Sequence, residues 1–277
     1  EAKTFMQPEQ PVYAHHPGRF CYVKDEENGQ LFSAPHAPVN RRPDAFRWEI
    51  EPGGARWTVT CDGIEVAMSV QLPADEPAEL WTVEVRNRSG RERKLSLYPY
   101  FPVGYMSWMN QSGSYRPDLG AIVCSSVTPY QKVEDWFRQR EFLDRTVLLH
   151  GRAPDAWEAN QAAFEGEGGL HAPDAIALSE RLAGSDALYE TPTAALQYRL
   201  ALDDGASDTL RFVFAPARDD AHVAALRERH LSQDGFADAT AAYAAYLDEG
   251  RGCLEIETPD TWFDAFTNCW LPRQVYY

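Results

Sequence analysis

Basic charge is scarce in this sequence of 277 residues, where 26 Lys and Arg stand against 42 Asp and Glu for a formal net charge of −16. Nucleic acids and anionic membrane surfaces select for basic faces, so neither is an expected partner. Long hydrophobic runs are also missing. No stretch approaches the ~20 apolar residues that a membrane-spanning helix needs. Cysteine is sparse, and Cys21, Cys61, Cys124, Cys253 and Cys269 form a scattered, odd-numbered set without C-x-x-C spacing. That pattern excludes a disulfide scaffold or zinc ribbon and predicts reduced thiols in a cytoplasmic protein. No G-x-G-x-x-G, Walker-type loop, G-x-S-x-G elbow or H-E-x-x-H is present, so no cofactor is expected. His15-His16 lacks a third ligand at useful spacing, and no metal is expected either. Glu134-Asp135, Asp203-Asp204 and Asp219-Asp220 are carboxylate pairs in sequence only, suited to turns and helix caps. Glycoside chemistry needs two groups facing one another across a sugar, which adjacent residues cannot supply.

What is present is ordinary globular material, 44% hydrophobic and 25% charged, long enough for one large all-β domain with helical additions. Trp57, Val59 and Cys61 alternate with threonines. Ile64, Val66, Met68, Val70 and Leu72 then alternate with mostly polar residues. Asp62-Gly63 between them fits a type I′ hairpin, whose two central residues both need positive φ. A second hairpin sets Trp81, Val83 and Val85 on one face, turns over Asn87 to Gly90, and returns through Leu95 and Leu97. Asn87 and Asn110 each open an N-x-S/T match, read here as turn chemistry. The stretch from Pro99 to about Leu188 is rich in glycine and proline, with short strands at Ala121–Cys124 and Thr146–Leu149. Alternation resumes at Leu196, Tyr198 and Leu200, and at Leu210, Phe212 and Phe214.

Helices are expected only near the end. Asp219 caps one running to about Leu231, and Phe236 to Leu247 repeat at helical spacing up to Gly250. A strand-like stretch, Cys253–Glu257, precedes a third helix with Thr258 as N-cap and Pro259 at its first position. Trp262, Phe263, Phe266, Cys269 and Trp270 make an aromatic stripe on that helix. Left bare, such a stripe is an aggregation liability, so it is expected to meet a further domain. The sequence opens Glu1-Ala2-Lys3 without Met, and is expected to be a processed form or a segment of a longer polypeptide.

The segment Tyr98 to Arg116 interleaves aromatic rings with amide and guanidinium groups, the mixture that a saccharide site uses for C–H faces and hydroxyls. Tyr98 to Phe101 read as strand core. The candidate sugar-binding residues are Trp108, Asn110, Gln111, Tyr115 and Arg116.

Four stretches, in order, resemble glycoside hydrolase family 94, the cellobiose- and chitobiose-phosphorylase group. They are FCYVKDEENGQLFSAP (Phe20–Pro35), WTVEVRNRSGRERKLSLYPYFPV (Trp81–Val103), NQAAFEGEGGLHAPDAI (Asn160–Ile176) and TPDTWFDAFTNCWLPRQ (Thr258–Gln274). The segment after Phe101 and Pro272 after Trp270-Leu271 depart from the cellobiose-specific pattern, which points toward an oligosaccharide or an acidic disaccharide. The resemblance implies a mainly β fold, a large antiparallel super-sandwich of the galactose-mutarotase type, followed by linker helices and an α/α barrel. It divides the chain into a sandwich at 1–217, a helical linker at 218–252 and the start of the barrel at 253–277. It further implies a homodimer and phosphorolysis of a β-linked glucoside, with inversion to an α-sugar 1-phosphate. Inorganic phosphate is then the co-substrate, and the general acid lies beyond Tyr277 in the barrel. The resemblance also implies that the sandwich lends a loop to the neighbouring subunit's sugar site, for which Trp108–Arg116 is the candidate. The competing expectation is a carbohydrate-binding and dimerisation module without chemistry. A third is a mutarotase-like epimerase with a His acid and a Glu base, for which His150, His171 and His222 are the available histidines.

Overall fold

Asp62 and Gly63 adopt φ of 49° and 76°, as the type I′ turn requires. They join β4 (Gly54–Cys61) to β5 (Ile64–Gln71) in the register the alternation predicts, with Cys61 opposite Ile64 and Val59 opposite Val66. A computed structural model describes residues 18–51, 53–103, 111–126, 144–249 and 254–272. Among these, fourteen strands form two antiparallel sheets. The smaller has the order β11-β13-β7-β1-β2, the larger β12-β8-β9-β10-β14-β6-β5-β4-β3. The remaining strands are β1 (Phe20–Asp25), β2 (Leu31–Ala34), β3 (Ala45–Glu51), β6 (Glu79–Asn87), β7 (Arg93–Pro102), β8 (Ser112–Arg116), β9 (Ala121–Ser126), β10 (Asp144–His150), β11 (Ala156–Asn160), β12 (Ala187–Leu188), β13 (Pro192–Leu202) and β14 (Ser207–Pro216). The mainly β sandwich expected from the sequence is what the chain forms.

Period-two alternation explains the layering. Inward rows of both sheets, including Val59, Val66, Val83, Leu97, Leu196 and Leu210, build one central core. The outer face of the larger sheet carries Leu80, Val147, Leu149 and Val213. It is covered by α3 (Asp220–His230) and α4 (Gly235–Glu249) through Val223, Leu226 and Phe236. The outer face of the smaller sheet carries Phe20, Tyr22, Tyr98 and Tyr100. Phe164, Ile176 and Leu182 from the β11–β13 connection cover it. That connection contains two short helices, α1 (Gln161–Glu165) and α2 (Asp174–Ala177). The sequence reading expected none there, because elements this short show no helical periodicity.

The last helix begins later than expected. Asp260 accepts from the backbone N–H of Trp262 and Phe263, so α5 is Thr261–Ala265, continuing as a wide π-type turn over Phe266–Trp270. Thr258 instead bonds Asp264 through both its N–H and its hydroxyl, which locks the approach to the helix. Leu254 to Glu257 form no strand; Ile256 is tied to Asn268 by two hydrogen bonds. The aromatic stripe is bare: Trp262 is 85% exposed, and Phe263, Phe266 and Trp270 are about half exposed. No helix among the described residues is long and apolar enough to cross a membrane. Cys21, Cys61 and Cys124 are buried free thiols, and burial pushes Cys21 up to about 12 and Cys61 to about 11. Core filling is their role.

One end of the sandwich is closed by tight turns. Asn87, fully buried at the end of β6, donates to Arg91 O (2.7 Å) and to Leu202 O (2.8 Å) on the opposite sheet. Its Oδ1 accepts from the N–H (3.0 Å) and hydroxyl (2.7 Å) of Ser89, the turn chemistry expected of it. The turn crosses between sheets, however: β6 pairs with β5 and β14, β7 pairs with β1 and β13, and the second hairpin expected from the sequence does not form. Arg93 pairs with Asp25 in a buried ion pair and donates to Asp62 O (2.8 Å) in the β4–β5 turn. Replacing Asn87 by Ala removes four hydrogen bonds at once and leaves the buried Leu202 carbonyl without this donor. The expected loss is about 2–3 kcal/mol of unfolding free energy, measured as a shift in urea midpoint at constant m-value. A loss under about 0.5 kcal/mol, the range of a neutral surface change, would contradict the role assigned to it.

Candidate saccharide-binding rim

The other end carries the long connections. Register places the end of β7, the start of β8, the end of β9 and the start of β10 together, with Ser112 opposite Ser125 and Asp144 opposite Ser126. The end of β11 and the start of β13 join them, Asn160 opposite Pro192, and Leu188 of β12 pairs with Ser112. The chain therefore leaves the sandwich at Val103, Ser126 and Asn160 and re-enters it at Gln111, Asp144 and Pro192, all at this rim. Long loops on a rigid scaffold are where binding groups concentrate.

The described part of the rim is polar and firmly held. Glu158, buried on β11, accepts at Oε1 from the N–H of Ala159 and Asn160, both at 3.1 Å. Its Oε2 faces the N–H of Ser185 at 3.4 Å. Burial raises its carboxyl above the usual range, outweighing these amide bonds. Asn160 caps α1 by accepting from Ala163 N–H (3.1 Å), and its Nδ2 donates to the Glu190 carboxylate. Gln161 N–H donates to Thr191 O (3.1 Å), closing the neck of the connection. Gly113 sits under it, where an added Cβ would lie 2.8 Å from Pro192 Cβ. Ser112 and Ser125 share a hydroxyl hydrogen bond of 2.8 Å.

The three candidate residues that the structure describes, Gln111, Tyr115 and Arg116, do not converge on one point. Trp108 and Asn110 lie outside the described residues. Gln111 is buried at the rim. Tyr115 and Arg116 are at the far end of β8, and consecutive strand residues face opposite sides. Tyr115 packs against the central core, its hydroxyl 2.9 Å from His150 Nε2 and its ring 5.4 Å from that of Trp157. Tyr115 and Trp157 edge a cavity of about 430 Å³ with Asp155, Arg181 and Gly184. Arg116 is held by Asp118 and, at 3.0 Å, by Asp220 at the start of α3. About 17 Å of strand separates Gln111 from Arg116, more than one hexose spans.

The epimerase expectation meets, among the described residues, a Glu76 carboxylate beside two histidines that the sequence did not bring together. Glu76 Oε2 lies 2.8 Å from His230 Nε2, and Oε1 lies 3.6 Å from His222 Nε2. An acid and a base that touch leave no room for a sugar between them. His171 Nδ1 is 2.7 Å from Pro38 O, and His150 Nε2 faces the Tyr115 hydroxyl at 2.9 Å. His15-His16 and Glu134-Asp135 lie outside the described residues, and no group of metal-ligating side chains occurs among those described.

The sequence reading missed the 185–192 turn. Tyr189 has φ of 59° and is 82% exposed, beside Leu188 at 69%. No residue type announces this, since a left-handed backbone is expected of Gly, Asn or Asp rather than Tyr.

Two unequal antiparallel sheets, helix-covered on one outer face and loop-covered on the other, define a supersandwich domain. The chain belongs to the glycosyl hydrolase 94 family: residues 9–233 match its supersandwich domain. It is 56% identical over its whole length to the cellobionic acid phosphorylase of Neurospora crassa, covering 35% of that protein. It is 26% identical over 93% of its length to the 3-O-beta-D-glucopyranosyl-beta-D-glucuronide phosphorylase of Paenibacillus borealis, covering 33% of it. The chain thus spans about a third of the length of these curated relatives. Among solved structures, a putative kojibiose phosphorylase from the human microbiome shares the fold, with TM-score 0.51 and 10% identity. The match covers 83% of this chain and 27% of that one.

Desolvation, followed by the positive charge of Arg227, pushes His150 down to about 4. The folded state therefore keeps this imidazole neutral while the unfolded chain takes up a proton below about 6.5. Its contribution to stability is complete above pH 6.5 and is lost as pH falls toward 4, at up to about 1.4 kcal/mol per pH unit. His150→Gln should flatten that limb in urea unfolding followed from pH 7 to pH 4. Parallel profiles for the two proteins would contradict it.

Proposed function

We propose that this chain is the sandwich portion of a longer inverting glycoside phosphorylase that cleaves a β-linked glucoside with inorganic phosphate to an α-sugar 1-phosphate. The observation that carries this reading is the 56% identity, across all 277 residues, to a cellobionic acid phosphorylase. Two of the relatives have names that specify a glucosyl unit joined to an acidic sugar, so the proposed substrate is an acidic disaccharide, cellobionic acid first. In such a reaction an acid protonates the glycosidic oxygen while phosphate attacks the anomeric carbon from the opposite face. The bond to the leaving sugar breaks as the bond to phosphate forms. No cofactor enters this balance.

The general acid belongs, in this proposal, to an α/α barrel beyond Tyr277, and the sandwich supplies recognition. The division at 1–217, 218–252 and 253–277 is proposed with it. The bare aromatic face of α5 supports a docked neighbour, because uncovered apolar stripes of this size mark interaction sites. A homodimer in which the rim reaches the partner subunit's sugar is part of the same proposal. Of the candidate residues, Trp108, Asn110 and Gln111 are assigned to sugar contact. Tyr115 and Arg116, held by His150 and by Asp118 and Asp220, are assigned to fixing β8.

The test is incubation of the full-length protein with inorganic phosphate and a panel of β-linked disaccharides, including cellobiose and cellobionic acid, with assay of sugar 1-phosphate. Phosphate-dependent release of the α-anomer, fastest with cellobionic acid, is expected. Hydrolysis without phosphate incorporation, or no turnover of any member, would overturn the assignment.

A further inference from the structure

Tyr189 presents a combination that packing does not explain. Its ring is 82% exposed, no hydrogen bond to its hydroxyl is made among the described residues, and its backbone sits in the left-handed region. For a non-glycine residue that conformation costs on the order of 1 kcal/mol, and it persists only where the surroundings impose it. Here they do. Leu188 pairs with Ser112, Ser185 is bonded to Ala159 through the main chain and to Glu158, and Glu190 holds Asn160. Thr191 is bonded to Gln161, and Pro192 packs on Gly113. The turn is anchored on both sides of Tyr189.

We infer that Tyr189 is a stacking platform for a pyranose ring at the rim, a specificity-determining contact for the leaving sugar. The inference rests on the phosphorylase reading and adds one residue to the contacts proposed between this chain and its substrate. An aromatic face with an unpartnered phenol suits a sugar, whose C–H face is apolar and whose edge carries hydroxyls. The same turn carries or pairs with polar groups that suit hydroxyls: Glu190, which holds Asn160, and Ser112, which pairs with Leu188. Leu188, 69% exposed, widens the apolar surface on the same turn. A pinned ring loses little conformational entropy on binding, which is what a preorganised contact requires.

The experiment compares Tyr189→Ala, Tyr189→Asn and Tyr189→Phe with wild type in the full-length protein. Kinetics are run in the synthetic direction, with α-glucose 1-phosphate and a sugar acceptor, alongside calorimetric titration of the disaccharide. Asn tolerates the left-handed backbone, so that variant removes the ring while keeping the turn. Both ring-less variants should raise acceptor KM about tenfold, the scale of losing one well-packed aromatic contact. The KM for α-glucose 1-phosphate and kcat should move less than twofold, and Phe should restore acceptor KM. Unchanged acceptor KM in active Ala and Asn variants would overturn the platform and leave the phosphorylase reading standing. A lowered Tm with unchanged KM would mark Tyr189 as a protein contact and overturn it equally. If wild type binds disaccharide without turnover and the ring-less variants bind more weakly, the platform stands and the phosphorylase reading falls. Absence of any sugar binding by wild type would overturn both.

Discussion

Trp81, Phe101 and Phe214 meet between the two sheets, their ring centroids 4.0–6.1 Å apart. They come from β6, β7 and β14, so this one contact sets how the smaller sheet lies on the larger. Trp81 and Phe101 are fully buried, and burying an aromatic side chain contributes about 2–3 kcal/mol. Glu79 extends the cluster, taking the Trp81 indole N–H at 3.0 Å and an ion pair from Arg19. With the sheets fixed there, the position of every strand end follows. One end falls where Asn87 and Arg93 can cross-link tight turns. The other falls where the chain leaves through its longer connections, the end at which a sugar is proposed to be met.

Much of this was legible in the sequence, for identifiable reasons. Alternation at Trp57–Val70 and the Asp62-Gly63 turn are local signals, and the strand register follows them. Leu72, expected on the same face, instead lies past the end of β5 and is exposed. The caps of α3 and the extent of α4 were readable because side-chain capping and 3.6-residue periodicity also act over short range. Asp219 accepts from His222 N–H at 2.7 Å, as its position implied. The Thr258 cap misled because Thr-Pro-Asp offers two capping side chains, and the second one takes the amides.

The site was less legible. Sequence placed binding chemistry on Trp108–Arg116 because the right residue types cluster there. A strand, however, spreads neighbours over two faces and several ångströms per pair, so Gln111 and Arg116 serve different places. The ionic ties of Arg116 to Asp118 and Asp220 depend on a helix distant in sequence. Tyr189 was invisible for a related cause. Its conformation is imposed by Glu158, Asn160, Gln161 and Gly113, none of which is nearby along the chain. The Glu76–His230 contact likewise joins a loop to a helix across the outer face of the larger sheet.

The central claim is that this supersandwich contributes recognition at one end, the rim, to a longer phosphorylase. Hydrogen–deuterium exchange on the full-length protein, with and without cellobionic acid and phosphate, tests it most directly. The account predicts slowed exchange in peptides covering 103–111 and 185–192, with none at the turns of 62–63, 88–92 and 203–206. Protection at the turn end, or no change anywhere in these residues while substrate is bound, would contradict it.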